Sequence, residues 1–332
     1  MASPALISHS DLASGTILTP RASPTASLAV LLATDGSDAA DGAVLVAYAL
    51  AGTIDATVEV LAVVVPPRPD SAFPLRVESV MPAPGDTEHG RQLEHRWLDI
   101  RKQTDRLTDG RTAWQIDIRT GAPFNVIARE IAHRQPSLVI MGLRRHAGSG
   151  DTGRDETTLQ VIRRSQVPVL AVPATQTTLP RTVVVAVDFS RASLHAARTA
   201  LGLMQDGGTL LLTHVRPELS YCPEQVEGWS AIYSHGIADA FTRLQVELAA
   251  PDGVTVETVF LDGAVAPEIL ALAQRVGADL IASGSHRHTF VNRMLLGRVT
   301  TALVREAPCS LLITPPEPND HSGHVTPSAV PA

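Results

Sequence analysis

Thr120–Gly142 reads TGAPFNVIAREIAHRQPSLVIMG, and Asp262–Gly284 reads DGAVAPEILALAQRVGADLIASG. Both stretches run from a glycine (Gly121, Gly263) through a helical pattern and an apolar run to a second glycine (Gly142, Gly284) at the same spacing. The register continues without a gap into QVPVLAVP and PCSLLITP, so Pro173 answers Pro315. Working outward to the N-terminal side, each copy opens on an apolar strand that ends in Asp, at LAVLLATDGS (Asp35) and TVVVAVDFS (Asp188). A repeat of about 150 residues is a duplicated domain, because solenoid periods are several times shorter.

Within each copy, short apolar runs alternate with helical patterns, the signature of a parallel α/β sheet covered on both faces. In the second copy Leu194, Ala197, Leu201 and Met204 form one apolar stripe, and Val265, Ile269, Leu272 and Val276 form another. Val291, Leu295, Val299 and Leu303 mark a last helix, and Gln225–Leu248 a long middle one. The order β-α-β-α-β-α-β-α-β with right-handed crossovers predicts two tandem open, doubly wound, five-stranded α/β sheets. The expected boundaries are a disordered tail over 1–26, domains over 27–173 and 181–315, a linker at 174–180 and a second tail over 316–332. The first domain carries its extra length in a Pro-rich stretch before its middle helix, where a surface loop absorbs an insertion at little cost.

Composition narrows the function. The chain has 332 residues, enough for two cores, and its net charge of -7 argues against a basic nucleic-acid-binding face. It has two cysteines, too few for a disulfide scaffold, and Cys309 reads as a small buried hydrophobe. With no apolar run long enough to span a bilayer and no charged leader, the expected location is cytoplasmic. His321 and His324 in the tail, and His286 and His288 in a loop, lack the partners a metal site needs. No catalytic set emerges, and His214 reads as a structural histidine.

Ligands of open parallel sheets sit beyond the carboxyl ends of the strands, where strand order reverses. Asp35 and Asp188, Gly142 and Gly284, and Gly297 at the start of the last helix converge there. A helix N-terminus beside a glycine loop suits phosphate. The same Asp residues also serve as helix caps, and the same glycines as turns.

The V-x-V-D-x-S opening, the HV that closes the second strand, the DG-x(20)-G segment and LLG-x-VT…APCSLLI together resemble the universal stress protein family. The resemblance covers about 27–173 and 181–315 and implies a Rossmann-like, adenine nucleotide alpha hydrolase-like fold. It also implies a covalent pseudo-dimer of the two domains, protein partners and a role in stress adaptation without catalysis. Further self-association is compatible with it. Some family members bind ATP through G-x2-G-x9-G-[ST], with Mg²⁺ only as companion of the nucleotide. Carried onto the second domain, the motif implies cofactor contacts at Asp188, Val215, Gly284, Gly297, Val299 and Thr300. Arg287 stands in place of the second glycine, and Arg298 in place of the hydroxyl residue. In the first domain Arg145 replaces the second glycine, while Asp155 and Glu156 occupy the positions of the third glycine and hydroxyl. That domain is therefore expected not to bind ATP, since carboxylates suit a helix N-terminus but repel a triphosphate. The rival readings are a nucleotide-free interaction module and a nucleotide-hydrolysing enzyme of the same fold.

Overall fold

The computed structural model describes residues 28–54, 56–66, 88–143, 155–216, 229–285 and 297–315. Both tails, the Pro-rich stretch, Cys222, His286, Arg287, His288, Val291 and Leu295 lie outside the described residues.

In the N-terminal copy β1 (Leu28–Ala33), α1 (Asp41–Thr53), β2 (Ala56–Val64), α2 (Glu88–Thr108), β3 (Gln115–Thr120), α3 (Pro123–Arg134), β4 (Leu138–Leu143), α4 (Asp155–Arg164) and β5 (Val169–Pro173) follow in order. The C-terminal copy repeats the plan. It runs through β6 (Thr182–Ala186), α5 (Arg191–Leu201), β7 (Thr209–Arg216), α6 (Trp229–Leu248), β8 (Thr255–Asp262), α7 (Val265–Val276), β9 (Leu280–Gly284), α8 (Arg298–Glu306) and β10 (Ser310–Thr314).

The two five-stranded sheets are one sheet. Its strand order is β3-β2-β1-β4-β5-β10-β9-β6-β7-β8. Pairing is parallel within each half, and β10 meets β5 antiparallel, with Leu312 opposite Leu170. Both are apolar five-residue strands with every residue buried. Left at an edge, each would present unpaired backbone to solvent, so joining them removes two edges at once.

Successive strand residues point to opposite faces, which sorts the apolar residues into two cores. Val30 and Leu32 pack on one face with Ala47, Leu50 and Leu212. Leu31 and Ala33 pack on the other with Ile127, Ile131 and Leu311. The central strands must be apolar on both sides because helices cover both. The opening glycines of the repeat have a backbone reason: Gly121 and Gly263 sit at φ 145 and φ 135, a region that residues with a Cβ rarely adopt.

Candidate functional site

In each half the strand order reverses between two neighbouring strands, β1 and β4 in the first and β6 and β9 in the second. A cleft opens beyond their carboxyl ends in both copies, as the topology requires.

The C-terminal cleft has a volume of about 310 Å³. Asp188 and Val215 line it from the ends of β6 and β7, and Gly284 closes β9. Gly297, Arg298, Val299 and Thr300 come from the start of α8. Seven of the eight residues singled out from the sequence thus line one cleft, and Arg287 lies outside the described residues.

The geometry separates what the two glycines do. A Cβ on Gly284 would stand 2.6 Å from the main-chain carbonyl of Ala192, so glycine is needed there for β9 to pass under α5. Its role is packing, whatever the cleft holds. A Cβ on Gly297 would meet nothing within 4 Å among the described residues, and its φ of -56 and ψ of 153 suit any residue. Gly297 is the N-cap of α8 and supplies no side-chain cap. The first turn of α8 therefore faces the cleft with bare N–H groups and the positive end of the helix dipole.

Asp188 does not cap a helix itself. Its Oδ1 accepts hydrogen bonds from the main-chain N–H and the hydroxyl of Ser190, at 3.0 and 2.6 Å. Ser190 in turn caps α5 by accepting from the N–H of Ser193. Asp35 makes the same pair of bonds with Ser37. The strand-ending Asp is thus a brace for the turn that rims each cleft. His214 donates Nδ1–H to the carbonyl of Val187 at 2.8 Å and stacks on Phe260, a structural arrangement.

The N-terminal cleft is larger, about 540 Å³. Asp35, Gly142, Thr157 and Thr158 occupy the places of Asp188, Gly284, Val299 and Thr300. Asp155 and Glu156 begin α4, and their side chains lie outside the described residues. Its floor differs from its sister's: Leu61 and Met141 stand where the C-terminal cleft has Thr213 and Ser283. Its roof comes from α2, which adds Gln92, His95, Arg96 and Asp99. Arg96 donates Nη1–H to the main-chain carbonyl of Asp35 and so ties the roof to the rim. Sequence reasoning missed these α2 residues, because an Arg on an amphipathic helix carries no sign of what it reaches. Among the described residues, no group of three His, Cys, Asp or Glu side chains is placed to hold a metal. Among them also, no helix is long and apolar enough to cross a membrane.

The model of the universal stress protein family matches residues 28–173 and again 180–315. The chain belongs to the universal stress protein family. As a tandem universal stress protein it carries two copies of a unit that curated relatives carry singly. A universal stress protein of Methanocaldococcus jannaschii is 28% identical over 140 residues, covering 41% of this chain and 82% of its own. The universal stress protein YxiE of Bacillus subtilis is 28% identical over 142 residues, covering 40% and 96%. Among solved structures, a universal stress protein from Archaeoglobus fulgidus superposes with a TM-score of 0.59 at 19% identity, over 86% of this chain and 98% of its own. A functionally unknown protein from Pseudomonas aeruginosa gives 0.55 at 17%, over 88% and 93%. At these identities the structural matches speak for the shared fold.

Proposed function

We propose that this universal stress protein is a non-catalytic, cytoplasmic regulator of stress adaptation whose C-terminal cleft takes an adenine nucleotide. The observation that carries the reading is the start of α8. A helix N-terminus without a side-chain cap, begun by a glycine that nothing among the described residues requires, lines one cleft with Asp188, Val215 and Thr300. Phosphate suits the α8 end, where free N–H groups and the helix dipole favour negative charge. Arg298 adds a guanidinium at that end, and arginine pairs well with phosphate oxygens. The base and ribose fall to the Asp188 and Val215 side. ATP, with Mg²⁺ held only through its phosphates, is the nucleotide of choice. The N-terminal cleft is read as not taking a triphosphate, because Asp155 and Glu156 begin α4.

Thermal shift and calorimetry with ATP, with and without Mg²⁺, test this. Saturable binding lost in Gly297→Asp and kept in Gly142→Ala is the expected result. No shift at millimolar ATP would leave the nucleotide-free interaction module as the better reading. The reverse ranking of the two variants would place the nucleotide in the wrong copy. Multiple turnover of ATP by purified protein, lost on changing Asp188, would overturn the non-catalytic part.

A further inference from the structure

A third recess lies between α5 and α6, on the far side of the Asp188–Ser190 turn from the nucleotide cleft, with a volume of about 380 Å³. Leu194 and Leu244, both buried, and the ring of Phe189 supply its apolar surface. Arg191, Arg198 and Arg243 line it from two helices, against a single carboxylate, Glu247. One guanidinium N–H of Arg198 is engaged, with Nη2 donating to the main-chain carbonyl of Glu247 at 2.7 Å. Among the described residues none of the three arginines makes an ion pair.

The N-terminal copy closes the corresponding seam with ion pairs. Asp38 stands in the place of Arg191, and Arg106 in that of Glu247. Arg106 pairs with Asp41 at 2.9 Å and with Asp38 at 3.5 Å, so the charges satisfy each other across the two helices. In the C-terminal copy those two signs are exchanged, Arg243 keeps the charge of Lys102, Leu194 replaces Asp41, and a further cation, Arg198, replaces Leu45. The result is an excess of positive charge around a recess rather than a closed set of pairs. Like charges gathered without partners repel one another, and an anion among them relieves that repulsion. Guanidinium groups pair with phosphate through two parallel N–H···O bonds. The volume falls in the usual small-molecule range of roughly 300–1,000 Å³. Phe189 adds a second sign. It holds φ 64, a left-handed conformation that its counterpart Gly36 adopts freely and a phenylalanine does not. Such conformations gather at sites of function. Here the unfavourable backbone sets Phe189 among the residues lining the recess, its ring also packed against His214 and Phe241.

We propose that this recess binds a small organic phosphate with an apolar or aromatic body, independently of the nucleotide cleft. The arginines hold the phosphate, while Phe189, Leu194 and Leu244 carry the body. Phenyl phosphate and inorganic phosphate are the probes, titrated calorimetrically into the full chain without Mg²⁺ at about 0.15 M salt, where exposed charges are screened beyond roughly 8 Å. The expected result is one saturable site for phenyl phosphate, about tenfold tighter than for inorganic phosphate, the difference an apolar contact of this size supplies. Arg191→Gln with Arg243→Gln should weaken phenyl phosphate by at least about tenfold, through loss of charge-assisted bonds, with the melting temperature little changed. Gly297→Asp should leave it unaltered. No saturation by about 10 mM, far weaker than any charge-assisted site, would overturn the proposal. So would undiminished binding in the double arginine variant, or binding lost in Gly297→Asp, which would assign the phosphate to the nucleotide cleft. Equal affinity for the two probes would overturn the organic part.

Discussion

The two copies solve one packing problem in two chemistries. On the α3 face of the first half, Arg134 reaches Glu59 at 2.6 Å, Glu130 at 3.0 Å and also Asp117. In the second half the same strand and helix positions hold Leu211, Leu272, Val276 and Val259, all part of one apolar cluster. The opposite face shows the same exchange. Gln103, buried on the inner side of α2, accepts from the hydroxyl of Thr34 and donates to the carbonyl of Ser37 and the carboxylate of Asp41. In the second half Val187, Leu194 and Leu244 fill that space. One backbone therefore accepts either a closed polar network or an apolar cluster. What it should not accept is half of each, since a polar group left unpaired inside costs far more than its bond contributes. Burial disfavours the charge on Arg134, but hydrogen bonds with Glu59, Glu130 and Asp117 outweigh it and raise its pKa. The arginine stays charged at every working pH, so the network responds to substitution rather than to titration.

Substitutions can break or sharpen this comparison. The largest effect is expected at the closing glycines. Gly284→Ala drives a Cβ onto the main chain of Ala192 and should cost about 3 kcal/mol, at the upper end for overpacking. Gly142→Ala, whose nearest contact is 3.1 Å from Ala39, should cost about 1 kcal/mol. Urea denaturation of both variants checks the ranking, and equal losses would show that the two strand ends pack alike after all.

Next comes Arg134→Met, which leaves Glu59 without its cation and Asp117 and Glu130 with Arg119 at 2.8 and 3.6 Å, and should cost about 2 kcal/mol, less than for a fully buried pair. Copying the whole second-half set (Glu59→Leu, Asp117→Val, Glu130→Leu and Arg134→Val) should recover stability to within about 1 kcal/mol of the parent. A quadruple variant no better than Arg134→Met would mean that the halves are not interchangeable. Gln103→Leu alone should cost about 1–2 kcal/mol by stranding the polar groups that it serves. Adding Thr34→Val and Asp41→Leu should return part of that loss, as a mutant cycle would show.

The smallest effect is expected at the turn itself. Phe189→Gly gives up the edge contact with Phe241 and the contact with His214. It also relieves the steric cost of the left-handed conformation, about 1–2 kcal/mol for a residue with a Cβ. The two should nearly offset, leaving a change under about 1 kcal/mol in melting experiments. A larger loss would make the aromatic cluster the chief support of this turn.

Much of the fold was legible because its signals are local. Gly121 and Gly263 announce turns that only glycine makes freely, and Val265, Ile269 and Leu272 announce a face by their spacing. The seven described residues of the C-terminal cleft were legible for a related reason: each lies at or just past the end of a strand or at the first turn of a helix, where parallel topology delivers it to one edge. The roles within that cleft were not. Gly284 and Gly297 look alike in a motif, yet the first is demanded by Ala192 and the second by nothing among the described residues. Asp188 reads as a cap, but the cap is Ser190. The last helix begins later among the described residues than the stripe from Val291 predicts, at Arg298.

The sequence alone determined the duplication, the α/β alternation and the edge of the sheet at which the chemistry gathers, since these follow from periodicity and from the handedness of the crossovers. The apolar last strands already call for covering by pairing between the domains; only the tertiary structure decided that β5 and β10 meet antiparallel with Leu312 opposite Leu170, that Arg96 and α2 roof the larger cleft, and that three arginines share a recess. Those outcomes depend on distances between residues far apart in the chain. A long side chain on an exposed helix face reads the same in sequence whether it meets water, a carboxylate or a neighbouring arginine.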